Sequence, residues 1–476
     1  MKRPATLALA LALGLSLAAC GSPRVVTVTP EDAAAPAPQA ETTTARPAAL
    51  QAGDFYAVSE YDSGFSTGDA WYSLENHLGY CLVTRTDYAT ATRQVLCSVP
   101  GCTHTSESCP AWLPGKGTTA QLFTAGDNVY IYHKVATMHY EGSWDSYYEE
   151  IVEPKLKERP QGWEDLSDEE LVAYCRGQYG ENTAPAGLYI LAADGSARRE
   201  GTASQDLLNV RLRWCDGAAL YGYDMEAAPA GQAAGYRLDL ADGTVTTFPL
   251  QGGEQIAGAQ GGNLLTCRTI TQVPVTEEIR SSDEAYQAIL QNATVEYDWL
   301  DPATGTRSKV LEQPHDGTNS GNRDFCGLCG GRLIFAAWED DAFRAYDPAS
   351  GQWQDLVRPI PDETMYLPDV TVAALPDAVA QQGRYLWFSG SNSVNGENLA
   401  WVLDTQSGEL TAVQQTVERE LSGWAVRAAA FTDDGRFLVQ TAQQESQYGT
   451  TPVYGLIDAE AFLQGSTDYT PVTNAE

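Results

Sequence analysis

The chain has 476 residues, 43% of them hydrophobic, with 63 acidic side chains against 29 basic ones and a formal net charge of −34. Such a surface repels phosphate backbones and anionic headgroups, which argues against nucleic acid as a partner and against a membrane contact made by surface charge. The length is enough for one large domain or several small ones.

Lys2 and Arg3 precede an Ala/Leu run over residues 5–19 that ends in Leu17-Ala18-Ala19-Cys20. An apolar run this short behind a basic start reads as an export signal, too brief to span about 30 Å of hydrocarbon. Its end looks like a bacterial lipobox, so residues 1–19 are expected to be a lipoprotein signal peptide and Cys20 the lipidated N-terminus. Membrane attachment then comes from acyl chains, at about 0.8 kcal/mol per buried methylene. Residues 20–53 form a tether: eight Ala, five Pro and five Thr over 21–50 leave too little apolar surface to fold.

From residue 54 to 476 the chain reads as strands. A turn glycine followed by an apolar or aromatic run recurs as Gly68-Asp69-Ala70-Trp71-Tyr72, Gly126-Asp127-Asn128-Val129-Tyr130, Gly217-Ala218-Ala219-Leu220-Tyr221, Gly262-Asn263-Leu264-Leu265, Gly331-Arg332-Leu333-Ile334-Phe335, Gly383-Arg384-Tyr385-Leu386-Trp387 and Gly435-Arg436-Phe437-Leu438. A second signature, an Asp followed four residues later by Gly, falls at Asp239–Gly243, Asp301–Gly305, Asp347–Gly351 and Asp404–Gly408, with Asp87–Ala91 a degenerate copy. Asp folds its carboxylate onto nearby amides and Gly supplies positive φ, so these aspartates are expected to build hairpins, not to catalyse.

The glycine copies are spaced by 58, 91, 45, 69, 52 and 52 residues, near the period of a four-stranded blade except in two long gaps. Each gap holds a helical insertion, at 134–186 and 270–294. In the first, Ser167-Asp168-Glu169-Glu170 is a capping box with Leu166 and Leu171 as its staple, predicting a helix that stops near Gly177. In the second, Ser281-Ser282-Asp283-Glu284 opens a helix that ends at Asn292. The fold expected is an all-β propeller of seven blades. Six or eight stay open, because closure can borrow a strand from the other terminus; Asp54 to Glu60 is the candidate for that strand.

Cys97, Cys102, His104 and Cys109 lie within 13 residues. Three cysteines and one histidine complete a tetrahedral zinc site, yet exported thiols commonly oxidise to disulfides; a disulfide, a structural metal and free thiols all stay open. A closed four-ligand set leaves no position for catalytic water, so such a zinc would be structural. Ten cysteines less the anchor leave an odd number, so at least one has no intramolecular disulfide partner. Cys326-Gly327-Leu328-Cys329 reads as a local disulfide or two buried thiols, while Cys81, Cys175, Cys215 and Cys267 read as packing residues.

The order of lipobox, Ala/Pro/Thr tether, repeated Asp-x3-Gly hairpins and a Cys/His cluster after the first blade resembles the uncharacterised β-propeller lipoproteins of Gram-positive anaerobic bacteria, with TolB-like and WD40-like propeller architecture. The resemblance covers residues 1 to about 473 and implies architecture and a cell-surface location, without a reaction. The Trp-Asp blade ending of WD40 repeats is missing here.

No serine-hydrolase elbow, zincin motif, P-loop or EF-hand loop is present, and His133 and His139 read as surface or core residues. No catalytic residue is assignable. The 134–186 insertion places Trp144, Tyr147, Tyr148 and Trp163 beside ten acids between Asp145 and Glu170. Exposed aromatics on a long loop suit sugar rings or protein anchors; the alternative is a helical cap packing them onto one propeller face. The function expected is a lipid-anchored extracytoplasmic module that binds protein or glycan partners. Two alternatives accompany it: a carbohydrate-active hydrolase or lyase using channel carboxylates, and an envelope-assembly role.

Overall fold

The computed structural model describes residues 55–58, 64–115, 120–134, 139–159, 163, 166–184, 186–201, 207, 210–224, 234–315, 324–337, 341–360, 370–375, 384–392, 397–417, 424–446 and 449–475. The segments expected to be signal peptide, lipid anchor and tether, residues 1–53, lie outside these residues.

The described turn glycines do what their sequence context requires, except in the fourth copy, where Gly261 and not Gly262 takes the left-handed conformation. Gly68, Gly126, Gly217, Gly331 and Gly435 hold φ between +54° and +87°, as does Gly261 beside the fourth copy at +55°. Glycine enters that left-handed region without the Cβ penalty, so the chain reverses there into an antiparallel partner strand. The Asp-x3-Gly segments make a second hairpin in the same units. The Gly243, Gly305, Gly351 and Gly408 amides donate to the carbonyls of Asp239, Asp301, Asp347 and Asp404 at 2.8–2.9 Å. The Asp301 and Asp347 carboxylates accept from Ala303 N and Ala349 N at 2.9 and 2.8 Å. In the degenerate copy, Ala91 takes φ +52° where the others use glycine. These aspartates are turn formers.

Repetition of the two hairpins gives four antiparallel strands at a time, and the described strands form seven sheets. The protein is a seven-bladed β-propeller. Blade one runs Phe65–Ser66, Ala70–His77, Tyr80–Asp87 and Thr92–Val95. Blade two is Ala120–Ala125, Asn128–His133, Gly187–Ala192 and Arg198–Gly201. Blade three is Val210–Cys215, Ala219–Asp224, Ala234–Asp239 and Val245–Pro249, and blade four is Gln255–Gln260, Asn263–Ile270, Thr294–Leu300 and Arg307–Pro314. Blade five takes Asp324–Cys329, Arg332–Ala337, Ala342–Asp347 and Gln352–Val357, and blade six Val370–Leu375, Tyr385–Asn392, Asn398–Asp404 and Glu409–Ala412. Blade seven is Ala428–Phe431, Arg436–Ser446, Gly449–Asp458 and Thr470–Pro471.

First strands of successive blades touch one another around the axis, as blade one does with blades two and seven, and blade five with blades four and six. Apolar side chains on facing sheets fill the space between blades. Phe343, Phe388, Leu386 and Leu403 pack between blades five and six, and Trp387, Phe437 and Ile457 between six and seven.

Closure of the ring differs from the expectation. Thr473–Asn474 lies parallel beside Thr92 and Arg93 on the outer edge of blade one, and Asp433 of blade seven donates its amide to Gly68 O at 3.0 Å. The segment expected to close the ring, as far as it is described, does something else. Tyr56 and Ala57 pair with Cys215 and Trp214 on the axial edge of blade three's first strand. Tyr56 Oη donates to Thr124 O of blade two at 2.6 Å, and Phe55 N donates to Gly261 O at 2.8 Å. Phe55 and Val58 are buried, so this short strand satisfies an inner edge that would otherwise face the channel.

The strand directions give the disc two unlike faces. First-to-second and third-to-fourth turns share one face; the fully described ones are short except blade seven's third-to-fourth connection, which carries the helix Ala459–Leu463. Second-to-third connections open on the other, and both long insertions belong to that class: one between His133 and Gly187, one between Ile270 and Thr294. Phe55 meets the Gly261 turn, so the N-terminal strand enters from the tight-turn face, opposite the loop face.

Candidate functional site

Blade one's outer edge is interrupted. Thr92–Val95 pairs with one half of Tyr80–Asp87, and Trp112–Pro114 pairs with its other half. Residues 96–111 therefore leave the sheet and return to it, forming a loop with few large apolar side chains to hold it. Four tight contacts shape this excursion. Ser98 N donates to Gly195 O of blade two at 3.0 Å, Cys102 N to Val99 O at 3.2 Å, Cys109 N to Ser106 O at 3.0 Å and Trp112 N to Cys109 O at 3.1 Å. Gly101 and His104 hold φ of +71° and +59°. For a residue other than glycine that conformation costs of order 1–3 kcal/mol and persists where surroundings impose it.

The bends bring the Cys97, Cys102 and Cys109 sulfurs and one His104 ring nitrogen within 4.8 Å of one another. His104 Nδ1 stands 3.3 Å from Cys109 Sγ. Ligand atoms around tetrahedral zinc, with Zn–S near 2.3 Å, are separated by about 3.8 Å, so the cluster has the right donors at nearly the right spacing. The hydrogen bond from the His104 backbone N–H holds the Cys102 thiol below the usual cysteine range. Burial pushes Cys109 up to about 12. A cation at the centre would favour the thiolate of both.

All nine described cysteines are in the thiol state. Cys326 and Cys329 sit on blade five's first strand, buried between blades five and six, with Cys329 Sγ 3.6 Å from Thr405 Oγ1. Burial raises the Cys329 pKa, as it does for Cys175, Cys215 and Cys267. Desolvation of this kind makes a thiol inert, in keeping with packing roles.

The 134–186 insertion is a small helical body. Ser167 and Glu170 form the expected capping box, with Ser167 N to Glu170 Oε2 at 2.8 Å and Glu170 N to Ser167 Oγ at 3.2 Å. The helix, Asp168–Thr183, runs past Gly177, where the sequence reading ended it. Gly177 is not a helix stop but a contact point: a Cβ there would strike the Leu78 side chain, and Gly79 of blade one packs against its backbone. Sequence pattern did not reveal the turns before it, Trp144–Tyr147, Tyr148–Val152 and Glu153–Lys157.

Of the four aromatics expected to bind partners, Tyr147 is a core residue of this body, 4% exposed. Trp144, Tyr148 and Trp163 are half-buried. Trp144 lies 5.4 Å from the Tyr179 ring and carries the Arg176 guanidinium 4.2 Å above it, while Trp163 packs edge-on to Tyr174 at 4.9 Å. These rings mainly build the insertion's own core, because the blades beneath offer it little apolar surface. Arg176 and Tyr179, three residues apart on one helix face, were the signal that a careful helical wheel contains. His133 is buried beside Gly115, and His139 is exposed.

In the second insertion, helices span Glu277–Arg280 and Asp283–Leu290, and Ser282 Oγ accepts from Ala285 N at 3.4 Å. Sequence reasoning did not find a cleft between blades one and seven on the loop-face side. Its lining comes from residues 73–76, 93, 440, 443, 451, 452 and 454, so no local motif marks it.

No family model matches the chain, and no curated protein matches it. Among solved structures it is similar to the β-propeller domain of the Trilobed protease from Pyrococcus furiosus, at 11% identity and a TM-score of 0.42, covering 88% of this chain and 98% of that one. It is also similar to TolB from Acinetobacter baumannii, at 12% identity and a TM-score of 0.32, over 82% of this chain and 76% of that one. An oligogalacturonate lyase in complex with manganese matches at 11% identity and a TM-score of 0.35, over 60% of this chain and 70% of that one. At these identities a shared role does not follow.

Proposed function

We propose that the chain is a lipid-anchored, extracytoplasmic propeller that presents its loop face to a protein or glycan partner at the cell surface. The opposition of the two faces carries this reading. The N-terminal strand enters at the tight-turn face, whereas the two helical insertions and the long Arg436–Ser446/Gly449–Asp458 hairpin belong to the other. A tether attached at the first face leaves the second free for large partners, and variable loops on a rigid scaffold are where recognition residues accumulate. The channel-enzyme alternative gains no support, because Phe55 to Val58 lie along the axial edge of blade three where a channel substrate would sit.

The same reading takes Cys97, Cys102, His104 and Cys109 as ligands of a structural zinc. The donor set and its spacing support this. The metal would stitch the excursion to the edge of blade one, and the four side chains would fill its coordination sphere, leaving no position for catalysis.

In-cell crosslinking of the lipidated protein tests the role. Wild type should recover one surface protein or wall glycan, and replacing 139–184 with a short turn should abolish recovery while the propeller still folds. Cys20→Ala should release the protein from the membrane fraction. Equal recovery after the insertion is removed would sink the binding reading.

A further inference from the structure

The cleft between blades one and seven has a volume of about 300 Å³ and opens where the blade-seven hairpin rises beside blade one. Its size falls at the lower end of small-molecule sites. The chemistry of its walls is specific. The only charged pair among the lining residues is internally neutralised, with Arg93 Nη2 3.1 Å from Glu75 Oε2. His77 Nε2 stands 3.2 Å from the other oxygen of the same carboxylate, and Arg93 Nε donates to Thr84 Oγ1 at 3.3 Å. Both charges are thus held by neighbours, which leaves neither as a counter-ion for an anionic or cationic ligand.

The rest of the lining is neutral. Asn76, Gln440, Gln443 and Thr451 carry amide and hydroxyl groups that can both donate and accept, while Leu74 and Pro452 supply a small apolar patch. A ligand matching this set has many hydroxyl or amide groups, no net charge and a C–H face. We propose that the cleft between blades one and seven binds a neutral saccharide unit. The proposal deepens the glycan arm of the binding reading above and rests on it.

The site also lies near the other loop-face features. The Leu78–Gly79 turn, against which the insertion helix packs through Gly177, joins the blade-one strand that lines the cleft to its neighbour. His77, Tyr80 and Trp112 stack in sequence at 4.7 and 5.7 Å beside Glu75.

Titration of the full-length protein, kept in a zwitterionic detergent without a sugar headgroup, tests the proposal. The probes are cellobiose and N,N′-diacetylchitobiose, with glucuronate and glucosamine as charged comparisons, read by saturation-transfer NMR and calorimetry. At least one neutral disaccharide should bind saturably and more tightly than either charged sugar. Gln440→Ala with Gln443→Ala should weaken it at least tenfold at unchanged melting temperature, and Thr451→Val should weaken it severalfold as an independent check on the same wall. No saturable binding of either disaccharide, stronger binding of a charged sugar, or unchanged binding in the folded variants would overturn it. If crosslinking still captures a surface protein while the disaccharides fail, the saccharide site falls and the scaffold reading stands.

Discussion

Asp404 shows how a turn residue contributes to stability. It is 6% exposed, and although burial works to raise its pKa, the Arg384 guanidinium at 2.8 Å and the Gln406 amide at 2.9 Å hold it below the usual carboxylate range. Its folded pKa lies under its unfolded value, so its contribution is fully present above the unfolded pKa of about 3.9 and is lost as pH falls through the folded one. Asp404→Asn should cost about 1–3 kcal/mol at neutral pH, discounted for the partly exposed arginine, and the difference from wild type should shrink as pH falls below the unfolded value. At the Cys/His cluster, protein purified reduced and anaerobically should contain stoichiometric zinc by metal analysis, and Cys102→Ser or His104→Ala should lose it. Cys109 is buried in the core of the first blades while most of the loop is exposed, so that loss should raise protease sensitivity first within 96–111.

At the level of elements, the insertion helix depends on two different local devices. Its start rests on the Ser167–Glu170 box, so Ser167→Ala should weaken it by about 1 kcal/mol. Its seat on blade one rests on the missing side chain at Gly177. Gly177→Val should force Leu78 aside at a cost of about 1–3 kcal/mol, detaching the helix rather than unfolding it. Hydrogen exchange separates the two outcomes: the cap variant should fray amides near Asp168, whereas the glycine variant should expose the Leu78–Gly79 turn along with the whole helix.

For the molecule as a whole, the ring closes through few bonds. Val472 N to Tyr454 O, Thr473 N to Ala91 O and Ala475 N to Arg93 O, at 3.0, 3.0 and 2.8 Å, are the C-terminal ties across or beside the seam. Truncation after Pro471 should remove about 2–4 kcal/mol at roughly 1 kcal/mol per bond, lowering the unfolding midpoint in denaturant with a single transition retained. Opening at this seam should also loosen the cleft between blades one and seven, so the truncated protein should bind disaccharide less tightly than the full chain does.

Local chemistry was legible from residues alone. Turn glycines, Asp-x3-Gly hairpins and the Ser167 capping box each act through neighbours a few positions away, so their spacing pointed to seven blades, with six or eight left open, and placed both insertions. The Cys97–Cys109 spacing likewise set out a ligand group, and only the fold showed its four donor atoms converging. Long-range pairings could not be read in the same way. Tyr56 beside Cys215, Thr473 beside Thr92 and Gly177 against Leu78 depend on how strands and helices meet after the ring has formed, and a backbone edge or an absent side chain leaves no signature in sequence. The cleft shared by Glu75, Arg93 and Gln443 is the extreme case, because its walls come from opposite ends of the chain and exist only once blade seven has docked on blade one.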